Sequence, residues 1–309
     1  IKGDSDHTKL IDMLTDLNDY SIGIEDVLKE HFDEENIVYW MAFQILMGNV
    51  DTQNRNVYLY SPLNSDIWYF IAWDNDGCLM RSEYELKNFS DQGSWEKGIS
   101  NYWGNVLFQR CLKSRSFREK LNDAILELRE YLNKDMLISK IESYKNVLKP
   151  YLYSMPDAEY EPLTSEQYDQ IVASLPDEIE KNYKLYLESL ETPMPFYIGV
   201  PTIDGNKLKF NWDVSYDLDA EDITYSVEVA RDYLFQDVIY HNTTLTVPET
   251  EMDLPEAGQY FVRIRATNTS GKTQDAFDYY VTDEGKHYGM KCFYITEDST
   301  VEEDNYEEG

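Results

Sequence analysis

The sequence has 309 residues, of which 42% are hydrophobic, so it has room for two domains with hydrophobic cores. Asp and Glu number 59 against 27 Lys and Arg, and the formal net charge of -32 would repel nucleic acid and anionic membranes. Three cysteines without a C-x-x-C motif or a histidine cluster predict neither a disulfide framework nor a zinc site, and no apolar run reaches the roughly 18 residues of a transmembrane segment.

Helical periodicity dominates the first part of the chain. Apolar residues recur at helical spacing through residues 8–31, with a polar break at 19–21, which predicts two short amphipathic helices. The segment Ile37–Met47 is apolar nearly all the way round, as expected of a helix that is buried on every side. Asp33 suits the N-cap of this helix and Gly48 is a natural stop for it. The sequence therefore predicts a buried central helix.

A polar loop and a β-hairpin follow the buried helix. Residues 49–56 are polar and poor in helix formers. The β-rich runs 57–60 and 67–73 are separated by a short stretch that contains Pro, Asn and Asp, which predicts a hairpin. The second run ends in an acidic turn at 74–77. The hairpin is therefore expected to deliver the acidic turn next to the polar loop.

The order and spacing of the polar residues match a phosphoryl-transfer site. Four residues separate Asp51 from Asn56, as in the catalytic loop of protein kinases, and Asp74 follows the hairpin where such kinases place a metal-binding Asp. In that arrangement the first Asp accepts the proton of the attacking hydroxyl, and the Asn and the second Asp hold magnesium, which prefers oxygen ligands. No His-Arg pair precedes Asp51, and Asp-Asn-Asp-Gly replaces Asp-Phe-Gly, so an ordinary kinase is excluded.

Four blocks of sequence carry a resemblance to a known family. They are the buried helix 37–47, Gly48-Asn49-Val50-Asp51, Asn56-Val57-Tyr58-Leu59-Tyr60 and Trp73-Asp74-Asn75-Asp76. Together, over roughly residues 5–190, they resemble the spore coat protein H (CotH) family of atypical secretory kinases.

The resemblance implies a specific chemistry. It implies phosphoryl transfer from ATP, with Mg²⁺ or Mn²⁺, to a Ser or Thr hydroxyl of a protein. Asp51 would be the catalytic base, and Asn56, Asp74 and Asp76 would hold the metal. The residues that bind the nucleotide stay unassigned, as do the protein substrate and the oligomeric state.

Two other interpretations of the acidic residues remain open. Asp and Asn are the commonest turn formers, so Asp51, Asn56, Asp74 and Asp76, taken one at a time, are better explained as turn or cap residues. A calcium-binding loop also uses closely spaced Asp side chains, but the full alternating pattern and its closing Glu are absent. Only the order and spacing of these residues, taken together, favour an ancestral phosphoryl-transfer site.

Helical periodicity resumes after the hairpin. Pro150 is expected to kink or end one of the later helices, and Pro176 to break the last of them. The apolar stripes of these helices are explained by burial in a helical core, and nothing in the stripes indicates a cofactor. The predicted helices lie near residues 105–108, 116–132, 134–153 and 164–190.

A basic cluster stands out in this acidic chain. It consists of Arg110, Lys113, Arg115, Arg118 and Lys120. Such a cluster is either a surface for an acidic substrate or a solvated helix face, and the solvated face is the favoured interpretation.

A composition shift marks a second domain. After the Pro-rich stretch 192–195, helical periodicity stops and about seven short β-rich runs alternate with turns, as in a β-sandwich. Trp212 would be its buried indole and Tyr260 its corner tyrosine. The run Gly258–Asn268 resembles a fibronectin type III domain, and no cysteine pair suggests an antibody-type domain.

The sequence thus predicts a multidomain α+β protein. A mostly α-helical, kinase-like lower lobe with a β-hairpin occupies residues 1–192. An all-β, immunoglobulin-like sandwich of the fibronectin type III class occupies 193–283. Residues 284–309 are expected to be an acidic tail or the start of a further segment, with a strand allowed at 288–295.

The function implied by resemblance is that of a fragment of a secreted CotH-like kinase. Whether the fragment is an enzyme stays open, because no phosphate-binding Lys, covering loop or upper lobe is evident ahead of Asp51, and it is expected to be inactive by itself. The alternative is a non-catalytic surface or spore-coat protein that uses the kinase-like lobe as a scaffold. Localisation to the cell surface, the spore coat or the secreted fraction follows from the resemblance and from the pairing of modules.

Overall fold

The computed structural model describes residues 6–53, 55–80 and 93–303, and the chain divides into two compact units. A helical unit comprises Ile1–Phe89 and Lys97–Leu187, and a β unit comprises Ser90–Glu96 and Glu188–Gly309. The prediction of a multidomain α+β protein is confirmed. Among the residues that the structure describes, no helix is both long enough and apolar enough to cross a membrane.

The helical unit is a series of α-helices interrupted by an antiparallel β-hairpin. The hairpin strands are β1 (Tyr58–Tyr60) and β2 (Tyr69–Ile71). The helices are α1 (Thr8–Asn18), α2 (Ile24–His31), α3 (Glu34–Met47), α4 (Val106–Lys113), α5 (Arg115–Tyr131), α6 (Lys134–Leu152), α7 (Ser165–Ser174) and α8 (Glu178–Leu190).

Local signals fix both ends of the buried helix α3. The side chain of Asp33 accepts a hydrogen bond from the backbone N–H of Asn36 at 2.9 Å, which satisfies one of the free donors of the first turn. At the other end Gly48 adopts a left-handed φ of 65°. The backbone N–H groups of Gly48 and Asn49 then donate to carbonyls of the last turn, both at 3.1 Å, in a Schellman arrangement. The predicted helix and its boundary residues are confirmed.

The hairpin buries one face and exposes the other. Phe70 is 5% exposed, and its ring centroid lies 4.8 Å from that of Trp40 on α3 and 5.8 Å from that of Phe108 on α4. Side chains alternate along a strand, so the residues next to Phe70 and their cross-strand partners lie on the opposite face. The core therefore anchors the hairpin to α3, and with it the loop and the turn at the ends of the hairpin.

Caps and prolines shape the later helices, with one shift from the predicted boundaries. The helix predicted near 116–132 is capped by Ser114, whose hydroxyl accepts a backbone N–H of the first turn at 3.2 Å, so α5 begins at Arg115. Pro150 lies within the last turn of α6. Pro176 lies in the 3₁₀ turn that separates α7 from α8, so the predicted break is confirmed.

The basic cluster of α4 and α5 is only partly a solvated face. Arg110 is 7% exposed, and its guanidinium donates to backbone carbonyls between α1 and α2, including those of Leu17 and Ile22. Lys120 forms an ion pair with Glu34 at 2.6 Å. The interpretation of Arg110 as solvated is therefore wrong, because the chain between α1 and α2 directs its carbonyls at this side chain.

The β unit consists of antiparallel sheets. One sheet has the order β3-β4-β7, and a second has the order β13-β12-β8-β5-β6 with β9 paired to β8, while β10 and β11 form a separate hairpin. The strands are β3 (Thr202–Asp204), β4 (Lys207–Asn211), β5 (Ile223–Ala230), β6 (Val238–Leu245), β7 (Glu249–Asp253), β8 (Gly258–Asn268), β9 (Thr273–Asp275), β10 (Tyr279–Thr282), β11 (Gly285–Tyr288), β12 (Met290–Ile295) and β13 (Val301–Glu303).

Aromatic residues from different strands of the β unit share one core. Trp212 is 5% exposed, and its ring centroid lies 5.3 Å from that of Tyr225 on β5. Tyr260 on β8 is also buried, and its hydroxyl donates to the backbone carbonyl of Glu256 at 2.8 Å. This bond to a carbonyl four residues upstream is the one that a corner tyrosine makes.

The sheet continues past the boundary predicted at residue 283. After the β10–β11 hairpin the chain returns as β12, which pairs with β8, and Phe293 from β12 is fully buried. The predicted boundary therefore divides a hairpin, and residues 284–303 belong to the β unit rather than to a tail. The inserted hairpin separates β12 from β9 in sequence, which is why strand spacing alone ended the domain too early. Residues 304–309 lie outside the described part of the chain.

A short segment from the middle of the chain also belongs to the β unit. Trp95 is 6% exposed, and its ring packs edge-on against Phe277 and Tyr288 with centroids at 5.1 and 5.9 Å. The hydroxyl of Ser94 donates to the side-chain carbonyl of Gln274 at 2.8 Å. A single division at residue 192 is therefore too simple, because Ser94 and Trp95 pack in the β unit before the chain re-enters the helical unit.

Candidate functional site

Buried polar contacts fix the backbone of the loop after α3, residues 49–52. The side-chain oxygen of Asn49 accepts the backbone N–H of Asp51 at 3.2 Å, which starts a short 3₁₀ turn over Val50–Thr52. The Thr52 side chain is fully buried, and its hydroxyl lies 3.0 Å from that of Tyr102. Asp51 itself is exposed. The loop thus presents the Asp51 carboxylate to solvent on a fixed backbone.

The acidic turn after β2 is fixed by its own backbone. Asp74 adopts a left-handed φ of 51°, which Asp tolerates better than most residues. The backbone N–H of Leu79 donates to the carbonyl of Met47 at 2.8 Å, which ties the end of the turn to the end of α3. Asp74 and Asp76 are both exposed. The turn and the loop therefore start from the same end of the same helix.

Asn49 joins the loop to the turn. Its side-chain nitrogen lies 3.1 Å from Oε1 of Gln44 on α3 and 3.2 Å from Oδ1 of Asn75 in the turn. A Cβ added to Gly77 would lie 3.3 Å from Oδ1 of Asn49 and 3.4 Å from Oδ2 of Asp51. The backbone of the turn therefore approaches the Asp51 carboxylate closely, at a position where glycine leaves room.

The three carboxylates share one negative field. The charge of Asp76 raises the pKa of Asp74 above its usual value, and desolvation, a hydrogen bond between the two carboxyl groups and the charge of Asp51 add to the shift. Within residues 6–53, 55–80 and 93–303, no Lys or Arg forms an ion pair with any of the three. The repulsion is therefore uncompensated by protein cations in the described part of the chain.

The neighbouring thiol is not a nucleophile. Burial raises the pKa of the Cys78 thiol to about 12, and the negative charge of Asp76 adds to this, whereas a hydrogen bond with Asn49 acts in the opposite direction. Cys78 therefore stays protonated at neutral pH.

Asn56 precedes the first strand of the hairpin. It lies just ahead of β1 with a left-handed φ of 55°, and no hydrogen bond among the described residues joins it to the acidic turn. A search for three or more His, Cys, Asp or Glu side chains arranged to hold a metal finds none in the described residues. The structure thus brings Asp51, Asp74 and Asp76 into one neighbourhood.

Sequence reasoning missed the residues that hold this arrangement together. Gln44 and Asn49 are buried polar residues, and Tyr102 is contributed by a distant segment. The only signal for Gln44 was a polar residue within an otherwise apolar helix. Asn49 was part of a recognised block, but its role as the link to the turn was not apparent from the block.

A family comparison places the chain. The CotH kinase protein family matches residues 1–186, which is more than half of the chain and includes all three carboxylates. The chain belongs to the CotH family. The match covers the helical unit and ends close to the point where the β unit takes over.

Other comparisons add little to the CotH assignment. No curated protein matches the chain. A solved structure, that of the surface layer protein SbsC, domains 1-6, is 11% identical, and the alignment covers 99% of this chain and 40% of that one, with a TM-score of 0.17. This chain therefore spans less than half of that structure, and the low TM-score carries no argument about fold or function.

The CotH family is associated with ATP and a divalent metal, and the donor set here fits a metal bound together with phosphate. The charge of Asp76 raises the pKa of Asp74, and a divalent cation relieves repulsion of this kind between neighbouring carboxylates. Magnesium usually takes one or two protein carboxylates and completes its shell with phosphate oxygens and water.

Proposed function

We propose that the helical unit is the lower lobe of a CotH-type phosphoryl-transfer domain. In this proposal Asp74 and Asp76, with Asn56, hold Mg²⁺ or Mn²⁺ bound to the phosphates of ATP. Asp51 accepts the proton of the attacking hydroxyl of a protein substrate. The metal supplies neutralisation of the phosphate charge, which is the dominant requirement of phosphoryl transfer.

The observation that carries the proposal is the acidic turn, whose carboxylates form no ion pair with a Lys or Arg among the residues that the structure describes. Two features of the backbone hold these carboxylates near one another. Asp74 adopts a left-handed conformation, and the backbone at Gly77 packs closely against Asn49 and Asp51. Like charges held together lower the free energy of unfolding of the unliganded protein, and a bound cation offsets this repulsion. A cation bound between these carboxylates and a phosphate would explain why they lie together, whereas a simple turn does not require them to.

We also propose that the β unit is a fibronectin type III-like module. A three-stranded sheet (β3-β4-β7) accompanies a sheet built around β12-β8-β5-β6, with a buried Trp212 and a Tyr260 corner bond in support. Such modules space or bind rather than catalyse. The pairing supports a secreted protein at the bacterial cell surface or spore coat.

A second candidate is a non-catalytic surface or spore-coat protein built on the same lobe. It is favoured by the lack of a three-ligand metal group in the described residues. In that case the lobe would serve as a scaffold, and divalent metal would have no effect on it.

Magnesium binding separates the two candidates. We expect Mg²⁺ with ATP to raise the melting temperature of the wild-type helical unit, because a ligand that binds only the folded state stabilises it. Asp74→Asn should abolish this rise. Without metal the variant should melt at the wild-type temperature or slightly above it, because the substitution removes a repelling charge. The measurement is thermal unfolding with and without Mg²⁺ and ATP.

Asp66→Asn is the matched control for the magnesium experiment. Asp66 is an exposed Asp in the loop of the same hairpin, so its substitution removes the same charge from the same unit. It should retain the metal-dependent rise. An equal loss in both variants would show that the effect is general charge screening, and no rise in the wild type would favour the scaffold candidate.

Residues 1–309 on their own are expected to transfer no phosphate. The described residues ahead of Asp51 form helices α1 to α3, and no strand or glycine-rich loop among them is placed to cover phosphates. Phosphoryl transfer depends on positioning, so a lobe without that cover is expected to bind metal weakly and not react. Incubation with labelled ATP, Mg²⁺ or Mn²⁺ and a generic Ser/Thr substrate checks this against Asp74→Ala. Asp74-dependent transfer would refute the expectation.

A further inference from the structure

We propose that the side chains of Lys291 and Asp278 in the β unit condense to an amide cross-link, with Glu303 carrying the proton that the reaction moves. This inference goes beyond the proposed function and does not depend on it. Nζ of Lys291 lies 3.3 Å from Oδ1 of Asp278 and 3.2 Å from Oε1 of Glu303. One amine thus contacts two carboxyl groups of the same unit.

Strand pairing and backbone contacts hold the three groups in place. Lys291 and Phe293 are two residues apart on β12 and point to the same face of the sheet, and Phe293 pairs with Glu303 on β13. Phe293 is fully buried, so this face covers the core of the β unit. Oδ2 of Asp278 accepts the backbone N–H of Ile198 at 2.7 Å, and Oδ1 faces the amine. The fold therefore orients the reacting groups before they react.

Burial distinguishes the two carboxyl groups. The side chain of Asp278 is 11% exposed, whereas that of Glu303 is 38% exposed. Burial raises the pKa of Asp278 above its usual value, although the N–H of Ile198 and the charge of Lys291 act in the opposite direction. An amine attacks a neutral carboxyl group far more readily than a carboxylate anion. Asp278 is therefore the acceptor, and the better hydrated Glu303 is the base beside the amine.

The reaction is a condensation that needs no co-reactant. Glu303 takes one proton from the Lys291 ammonium, and the lone pair of Nζ attacks Cγ of Asp278 to form the N–C bond. The nitrogen then releases a second proton to solvent. Glu303 returns its proton to a hydroxyl on the tetrahedral carbon, whose C–O bond breaks. The ammonium and the neutral carboxyl group thus give one amide, one water and one proton, and no electrons are transferred.

Fixed proximity favours the amide over a simple ion pair. Well-oriented intramolecular reactions reach effective molarities of about 10⁵–10⁸ M. The cross-link would close a ring from residue 278 to residue 291, and this ring contains the β10–β11 hairpin. It would therefore fasten the inserted hairpin to β12.

Mass spectrometry of the denatured 309-residue chain tests the cross-link. We expect the wild type to weigh about 18 Da less than its sequence, the mass of one water. Trypsin cleaves after Lys272 and Lys286 but not after a linked Lys291, so segments 273–286 and 287–309 should appear as one joined peptide. An unreduced mass would refute the cross-link. A link confined to segment 287–309 would refute Asp278 as the acceptor.

Three substitutions separate the roles of the three residues. Lys291→Arg keeps the positive charge but cannot form the amide, so the mass of its sequence should be restored. Asp278→Asn should lose ammonia instead of water, about 17 Da, and any other mass would contradict position 278 as the acceptor. Glu303→Gln cannot take the proton, so most of its molecules should keep the mass of their sequence. Water loss at the wild-type level in Glu303→Gln would refute its role.

An exposed ion pair of the β unit provides the matched control. Nζ of Lys207 lies 2.8 Å from Oδ1 of Asp253, closer than in the proposed cross-link, but the Asp253 side chain is 85% exposed. Water keeps both groups of this pair charged, so it should not condense. Lys207→Arg should therefore retain the loss of one water, and its absence in this variant would show that the loss does not come from Lys291. Circular dichroism checks that each variant is folded.

Discussion

Replacing Arg110 by alanine is expected to lower the free energy of unfolding of the helical unit by about 1.5 to 3 kcal/mol, the range for losing hydrogen bonds to a charged group. The guanidinium is 7% exposed and donates to the carbonyls of Leu17 and Ile22, with Asp16 and Asp19 carbonyls each at 3.4 Å. Without it these carbonyls lose their partner. The connection between α1 and α2 should then loosen first.

Hydrogen exchange resolves the effect of Arg110, because a chain with two units does not unfold in a single step. Amides of α1, α2 and α4 should exchange faster in Arg110→Ala, whereas those of the β unit should not change. Arg110→Lys keeps the charge but not the planar fork, so it should recover only part of the lost stability. Arg115→Ala is the matched control, because Arg115 is exposed and its ion pair with Glu119 contributes less than about 1 kcal/mol.

Replacing Gly48 by alanine is the second large expected effect, a loss of about 2 to 4 kcal/mol. A left-handed φ of 65° costs an L-residue about 1 to 2 kcal/mol. A Cβ at this position would also lie 2.6 Å from Nδ2 and 2.7 Å from Oδ1 of Asn182. Asn182 is buried and donates to the carbonyl of Leu46 at 2.9 Å, so it cannot move without breaking that bond.

A double-mutant cycle isolates the clash at Gly48. Asn182→Ala alone should destabilise the unit by removing the bond to Leu46, but combined with Gly48→Ala it should cost less than the sum of the two single losses. Additive losses would show that the conformational cost of the left-handed turn is the whole effect. Urea unfolding followed by exchange of the α3 amides measures all three variants.

The Gly48 substitution should also reach the candidate site. Asn49 follows Gly48 directly and links the Asp51 loop to the acidic turn through Asn75. A shift of the backbone at Gly48 moves this link, so the magnesium-dependent rise in melting temperature should shrink in Gly48→Ala. Gly48→Ala thus tests the fold through urea unfolding and the candidate site through the magnesium-dependent rise in melting temperature.

The local sequence pattern was sufficient to predict the buried helix α3, the β1–β2 hairpin and the break at Pro176. An all-round apolar stretch with Asp33 before it and Gly48 after it specifies a buried helix, because burial, capping and chain reversal are each encoded within a few residues. The hairpin and the break at Pro176 are local in the same sense. The order of Asp51, Asn56 and Asp74 could be read from the sequence for this reason, and their roles stay a prediction.

The boundaries between the two units were harder to predict from the sequence, because they depend on contacts between residues that are distant in the chain rather than on local composition. The Pro-rich stretch near 192 marked the entry into the β unit to within a few residues. Nothing in the local sequence indicated that Trp95 packs on Phe277, or that Phe293 completes the β core after an inserted hairpin. Each of these contacts joins residues far apart in the chain.

The sequence by itself determined the helices, the hairpin, the β-rich second half and the identity of the acidic residues, because periodicity and capping are short-range properties. Only the tertiary structure decided that Arg110 is buried, that Asn182 fills the space beside Gly48 and that Asn49 fastens the Asp51 loop to the acidic turn. A polar side chain has the same local signature whether it is solvated or satisfied in a core. Its role depends on which distant backbone or amide group packing brings within hydrogen-bonding distance.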